Sequence, residues 1–384
     1  MQTSLWLLAL LFAAIAIGFL LGRLDRFPRR RKARALPRSV DFLLGEPSDR
    51  TLRAMVENLD THPDALDTHL ALGRLFRKRG ELDRATLIHQ GMLDNSRLPE
   101  KVREDVELEL ARDFLSAGLF DRAEQVLQHM VDHDGRHAAV AMRHLMSIFE
   151  QERDWHSALA IGERLLRRNR EVAPVLAQYC CELAERLTAQ QELNAARRLL
   201  RRALAFDGQC VRASLLQGRL EIQAGYWDNA LRALRRVRRQ NPLFLDQVLD
   251  DLERCYRALG REEDMLSFLL DACLETPSNA LVVRLAGMLR ERAGEREASL
   301  FLAQYMKKFP SVQGLNEIIE MNRDATQGNT REYLDTLRTL TQRLLAERPV
   351  YHCVQCGFRP QALHWQCPGC KGWATIAPVS GAMV

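Results

Sequence analysis

Apolar spacing changes character three times along the chain. Leu5–Leu21 is an unbroken apolar run of 17 residues, extended by Gly22, at the short end of the roughly 17–25 residues that cross a bilayer. It predicts a transmembrane anchor over 1–22, with Trp6 at one interface. Residues 23–45 are polar and basic, and Pro28 and Pro37 interrupt helical continuation, so this stretch reads as a juxtamembrane linker. From 46 to 348 apolar residues recur at helical spacing, broken by glycine or polar turns. Over 349–384 the period lapses into short segments punctuated by glycine, proline and cysteine.

The helical stretch is internally repetitive. An alanine recurs a few residues after the turn that ends an apolar helix, at Ala85, Ala123, Ala158, Ala196, Ala230 and Ala298, with Met265 in the same frame. The spacings are 38, 35, 38, 34, 35 and 33 residues. Nine positions earlier stands a large apolar residue (Phe76, Phe114, Phe149, Leu187, Tyr256, Leu289), with Glu221 as the exception. Gly80, Gly118, Gly225 and Gly260 fall at the inter-helix turn, and Pro242, Pro277 and Pro310 close three units. A small alanine lets the second helix approach the first, the large residue fills the remaining gap, and proline stops the second helix. The clearest unit runs from Gly218 to Leu234.

This frame resembles the tetratricopeptide repeat, whose period is about 34 residues. The resemblance covers about seven units, with degenerate flanks before residue 66 and after residue 311. HEAT-like and Sel-like pairs are the alternatives. The fold expected is all-α, a superhelix whose groove binds peptides or proteins. Phe114, Trp155 and Tyr226 are expected in its core.

Charge matters once it is located. The net +5 is concentrated in residues 23–34, where seven basic groups and Asp25 sum to +6, leaving −1 for the rest. A near-neutral folded part argues against nucleic-acid binding. Basic residues after the apolar run orient it with the N-terminus outside and the bulk of the chain in the cytoplasm. A signal peptide would carry its basic segment first, whereas Met1–Ser4 has none. Cys180, Cys181, Cys210, Cys255 and Cys273 lie in helical patterns and are expected to be buried, reduced thiols. Second helices also carry arginine sets: Arg167 and Arg168; Arg197, Arg198, Arg201 and Arg202; Arg232, Arg235, Arg236, Arg238 and Arg239. Aligned, these form either a solvated face or a stripe for an anionic or membrane-facing partner.

The strongest chemical signal comes last. Cys353, Cys356, Cys367 and Cys370 form two Cys-x-x-Cys knuckles in C-V-Q-C-G-F and C-P-G-C-K-G-W. Four thiolates suit one zinc ion or a rubredoxin-type iron. Gly357 and Gly369 are expected to supply permissive turn backbone. Four sulfurs close the coordination shell and leave no position for a catalytic water. The chain has no phosphate-binding glycine loop, H-E-x-x-H or G-x-S-x-G motif. His129, His133 and His137 have metal-compatible spacing but sit with Asp132, Asp134 and Gly135, as at a polar turn. These residues predict a non-enzyme.

An N-terminal span, a repeat array and a terminal four-cysteine unit in this order resemble the lipopolysaccharide assembly protein B family over the full chain. The carrying residues are Leu5–Leu21 with its arginines, the frame from Gly73 to Pro310, and Y-x-C-V-Q-C-G-F with W-Q-C-P-G-C. The resemblance implies a rubredoxin-like metal domain over 349–384, and the short join at Pro349 predicts that this unit docks on the array. It implies an inner-membrane adaptor that helps a membrane AAA+ protease degrade the lipid A pathway deacetylase. Other inner-membrane lipopolysaccharide assembly proteins, and lipopolysaccharide itself, are further partners in view. A general envelope scaffold and a rubredoxin-type electron carrier are the competing readings.

Overall fold

The computed structural model describes residues 63–275, 278–324, 326–346 and 350–379. The expected spanning helix, the basic linker, Pro277 and Pro349 lie outside the described residues. Among the described residues, no helix is long and apolar enough to cross a membrane.

Helices pair in sequence order. They are α1 (Pro63–Lys78) with α2 (Leu82–Leu93), α3 (Glu100–Ser116) with α4 (Phe120–Asp132), and α5 (Ala138–Glu152) with α6 (Trp155–Leu166). Next come α7 (Ala173–Ala189) with α8 (Leu193–Phe206), and α9 (Val211–Gln223) with α10 (Trp227–Gln240). The later pairs are α11 (Leu249–Ala258) with α12 (Glu262–Glu275), α13 (Asn279–Ala293) with α14 (Glu295–Lys308), and α15 (Val312–Asp324) with α16 (Asn329–Ala346). The last pair lies in what the sequence marks as a degenerate flank. It has no frame alanine; Ile319 and Met321 are buried, and its crossing includes a buried Thr341 bonded to Asn316.

The repeat frame has a backbone cause. In six successive turns the carbonyl of the large residue accepts from the N–H five residues on, at 2.9 Å each: Phe76, Phe114, Phe149, Leu187, Glu221 and Tyr256. This 6→1 bond closes the first helix and requires a left-handed residue just before the donor. Gly80, Gly118, Gly225 and Gly260 supply it, with φ between 65° and 81°. Arg153 (φ 56°) and Gln191 (φ 65°) occupy the same conformation without glycine's freedom. The frame alanines are wholly buried, and Met265 is 2% exposed. Close approach is also needed at Gly218, where a Cβ would sit 2.3 Å from Leu234.

The chain divides into two compact units between Val126 and Leu127, within α4. The first packs Leu66, Phe76, Ile88, Met92 and Val106 beside a buried charged cluster. There Arg77 donates to Glu109 and, at 2.7 Å, to Asp113, while Asp113 also meets His89 Nδ1 at 2.5 Å. Glu109 is desolvated, but bonding and attraction from Arg77, Arg74 and Arg112 outweigh that and hold it below its ordinary value.

The second unit buries Leu234, Val237, Val248, Leu252, Cys255 and Tyr256 in its core. Cys180, Cys181, Cys210 and Cys255 are buried free thiols and Cys273 is half-buried, as expected. Burial pushes Cys180 up to about 12 and Cys255 up to about 11, which keeps them protonated. One expectation fails. Tyr226 is 56% exposed, with the Arg197 guanidinium 5.6 Å from its ring centroid, so it is not core. Glu221, the apparent defect in the frame, is 2% exposed and accepts twice from Arg197, at 2.6 and 2.9 Å.

Candidate metal centre

The chain ends in a small ribbon. Strand β1 (Tyr351–Cys353) pairs antiparallel with β2 (Ile376–Pro378), with Cys353 opposite Ile376. Two matching turns hang from it: Gly357 N–H donates to the Cys353 carbonyl at 2.9 Å, and Lys371 N–H donates to the Cys367 carbonyl at 2.8 Å. The left-handed residues are Gly357 (φ 77°) and Lys371 (φ 58°). The expectation for Gly369 is therefore corrected. The second turn takes its positive φ two residues later, at a lysine.

The four cysteine sulfurs lie within 4.8 Å of one another. Cys353 and Cys370 are 3.8 Å apart, and Cys356 and Cys367 3.6 Å. Tetrahedral coordination at a metal–sulfur distance of about 2.3 Å needs sulfur edges of about 3.8 Å, so the donor set fits one zinc or rubredoxin-type iron. Hydrogen bonding with Thr375 Oγ1, 3.3 Å away, and with the Cys356 and Gln355 N–H groups outweighs desolvation and lowers Cys353 to about 6. At Cys356 the Phe358 N–H lowers the thiol, but desolvation and the other three sulfurs prevail and push it up to about 11. Cys353 is thus favoured as the thiolate and Cys356 as the thiol, and a cation would stabilise the ionisation of both. Cys353 and Cys367 are buried and Cys356 is exposed, so one edge of the site reaches the surface with Val354 and Phe358.

The ribbon lies against α5, the start of α6, α7, α9 and the 3-10 segment Pro242–Val248. Trp373 Nε1 donates to Glu150 at 2.9 Å, and Gln366 Nε2 donates to the same carboxylate at 3.2 Å. Tyr179 OH is the third donor to Glu150. The Trp373 ring meets Trp155 and Tyr179 edge-on, with centroids 5.8 and 6.0 Å away. Farther along, Trp365 stacks on Phe244 at 5.8 Å, with Arg212 over its ring. Arg212 is 3% exposed and bonded to Glu182 and Glu185. Gln247 Nε2 donates to Tyr351 OH at 3.0 Å. A cleft of about 890 Å³, lined by Asp246, Gln247, Asn279, His352 and Arg359 among others, separates the ribbon from the last pairs.

These docking residues escape sequence reasoning. Trp365 is visible beside its cysteine knuckle, but nothing local marks Glu150 as its neighbour's acceptor across more than two hundred residues. The His129 and His133 ring centroids lie 4.0 Å apart with the rings tilted by 39°, His133 Nδ1 is bonded to the His129 carbonyl, and among the described residues only the four cysteines form a group that could hold a metal ion.

A helical repeat array carrying a rubredoxin-like ribbon with a four-cysteine metal-binding site defines the class of protein. The family model described as a rubredoxin metal binding domain matches residues 351–378, and a tetratricopeptide repeat model matches 68–103. Lipopolysaccharide assembly protein B of Escherichia coli K12 is 30% identical over 98% of both chains. The Haemophilus influenzae protein of the same name is 31% identical over 89% of this chain and 88% of its own. The chain belongs to the lipopolysaccharide assembly protein B family. A crystal structure of a tetratricopeptide repeat protein from Parabacteroides merdae covers 72% of this chain and 98% of its own at 16% identity and a TM-score of 0.32.

Proposed function

We propose that the chain is a non-enzymatic adaptor of the bacterial inner membrane that controls lipopolysaccharide synthesis. It presents the lipid A pathway deacetylase to a membrane AAA+ protease. The family relationship supports the pathway, and the Leu5–Leu21 run followed by arginines supports a single-pass anchor with the array in the cytoplasm. An anchor would raise the array's effective concentration towards other membrane proteins.

The observation that carries the adaptor reading is the docked ribbon. Trp365, Trp373 and Tyr351 fix it to the array, while Val354 (69% exposed) and Phe358 (41% exposed) project apolar surface beside the exposed Cys356. A rigid apolar projection held by a closed structural metal site suits partner recognition. Cys353, Cys356, Cys367 and Cys370 are the proposed ligands of one zinc or iron ion.

The test is the deacetylase half-life in cells carrying Val354→Asp with Phe358→Asp, or Cys353→Ser with Cys356→Ser. Both double variants should lengthen it, and only the second should lose the ion by elemental analysis. An unchanged half-life in a metal-free variant would sink the reading. A red, redox-active protein would identify iron, and a colourless one with one equivalent of zinc would identify the other ion.

A further inference from the structure

The ribbon is held mainly by first helices, by Trp155 at the start of α6 and by the segment Pro242–Val248. The second helices carry a different surface, organised by the same repeat frame. Counting from the frame residues Ala196, Ala230 and Met265, the fifth position after each is Arg201 on α8, Arg235 on α10 and Leu270 on α12. The ninth is Ala205, Arg239 and Leu274, and the second adds Arg198 and Arg232. These positions lie one turn apart along each helix and so share its outward face.

Five arginines of this face (Arg198, Arg201, Arg232, Arg235 and Arg239) are exposed, and among the described residues none forms an ion pair. Their neighbours differ: Arg197 is tied to Glu221, Arg202 to Glu163 and Arg238 to Glu275. The acids that answer these neighbours come from α6, α9 and the end of α12, beside the face and not upon it. Arg236, half-buried next to it, is held below its ordinary value by desolvation and by Arg239. Folding does not require this concentration of unpaired charge.

The basic rows run directly into apolar ones. Arg235 reaches from α10 across the Phe268 ring of α12, 5.5 Å from its centroid, so the two helices adjoin here. On α12 the row positions become leucines, and Leu274 is 85% exposed while Leu270 is 42% exposed. Asp271, next to Leu270, and Glu275, next to Leu274 and paired with Arg238, are exposed acids bordering them. Unpaired cations beside projecting leucines match a bilayer interface, where phosphates meet the guanidinium groups and acyl chains receive the leucines. A nucleic-acid backbone offers nothing to Leu274.

We propose that the outward face of α8, α10 and α12 is a docking surface for anionic phospholipid headgroups, with Leu270 and Leu274 entering the acyl boundary. This is independent of the adaptor reading and of any N-terminal span. Such contact would orient the array on the membrane with the ribbon-bearing first helices turned away from the lipid.

The experiment uses the full chain with Leu274→p-benzoylphenylalanine, mixed with phosphatidylethanolamine vesicles with or without about one quarter phosphatidylglycerol. Irradiation should yield lipid adducts at position 274 with the anionic vesicles, and about ten-fold fewer without phosphatidylglycerol. Arg235→Glu with Arg239→Glu should cause a similar loss, while unchanged circular dichroism shows that these exposed changes leave the fold intact. A second chain carrying the crosslinker at exposed Gln223, on first helix α9, should give few adducts. Equal yields at 223 and 274, or yields indifferent to lipid charge and to the two arginines, would overturn the proposal. So would irradiation of cell membranes that joined position 274 to a protein and not to lipid. Because the readout is lipid adduct and not deacetylase half-life, failure here leaves the adaptor reading standing, and the converse also holds.

Discussion

Glu221 occupies a position that every other repeat in the frame fills with phenylalanine, tyrosine or leucine. Its carboxylate is 2% exposed and is neutralised from the preceding pair by Arg197, whose side chain is 22% exposed. Removing Arg197 would strand a charge that water cannot reach, a cost of about 3–5 kcal/mol. Removing Glu221 strands a guanidinium that can turn to solvent and still keeps its bond to Asn194 and its place over Tyr226. Glu221→Leu also restores the apolar residue of the frame, so it should cost only about 1 kcal/mol.

The two single changes therefore should not be equivalent. Arg197→Met should be the worse by about 2 kcal/mol or more, and Arg197→Met with Glu221→Leu should return to within about 1 kcal/mol of the parent. A repeat array opens in pieces, so the appropriate assay is native-state hydrogen exchange of the α8 and α9 amides, supported by the urea midpoint. Strictly additive effects, or an Arg197→Met variant no weaker than Glu221→Leu, would show that the buried pair is not what holds this crossing.

Three further outcomes follow from other parts of the fold. Trp373→Phe keeps the ring contacts but deletes the donor to Glu150, and should weaken ribbon docking by about 1.5–3 kcal/mol, with Trp373→Ala costing more; faster hydrogen exchange in α5 and α7 would report both, and equal effects would refute the hydrogen bond's role. Arg153→Gly and Gln191→Gly should each raise the thermal midpoint, because relief of about 1 kcal/mol of left-handed strain outweighs glycine's smaller entropy cost in the unfolded chain; a loss of stability at both sites would contradict this. Glu109 has a depressed folded-state pKa, so its contribution is fully present above its unfolded value, near pH 4.5, and is lost as pH falls through the lower folded value. Acid titration followed by exchange in α1 and α3 should show that loss, and Arg77→Met should flatten it.

The repeats were legible because their constraint is local and steric. A small residue fits the closest approach in every unit but that of Met265, a left-handed residue completes the turn, and both recur every 33–38 residues. Where chemistry replaced shape, the pattern misled. Glu221 looked like a defect and is a buried ion pair; Tyr226 looked like core and lies beneath an arginine. The last pair, α15 and α16, read only as a degenerate flank because a threonine–asparagine contact contributes to its crossing where every other pair but that of Met265 places an alanine. The convergence of the four cysteines was legible for the opposite reason: four sulfurs must converge from short turns, so their spacing alone is informative. The second turn shows the limit, since Lys371 adopts a conformation that composition assigned to Gly369.

What joins the two legible parts is a set of contacts that neither part announces. Glu150 takes three donors, one from the array and two from the ribbon, and Arg212 serves a pair of glutamates while covering Trp365. Each is a charged group whose satisfaction depends on a partner from a distant part of the chain. Undocking would leave the Trp373 indole without its acceptor and strip the ring from Arg212, so the ribbon is not a passive appendage. The ribbon presents Trp365 and Trp373 to the array, where they meet Trp155, Tyr179 and Phe244. Removal of a bound ion with a chelator should therefore speed hydrogen exchange at Glu150 and Arg212 as well as in the cysteine turns, and exchange altered in the turns alone would show that docking does not depend on the ion.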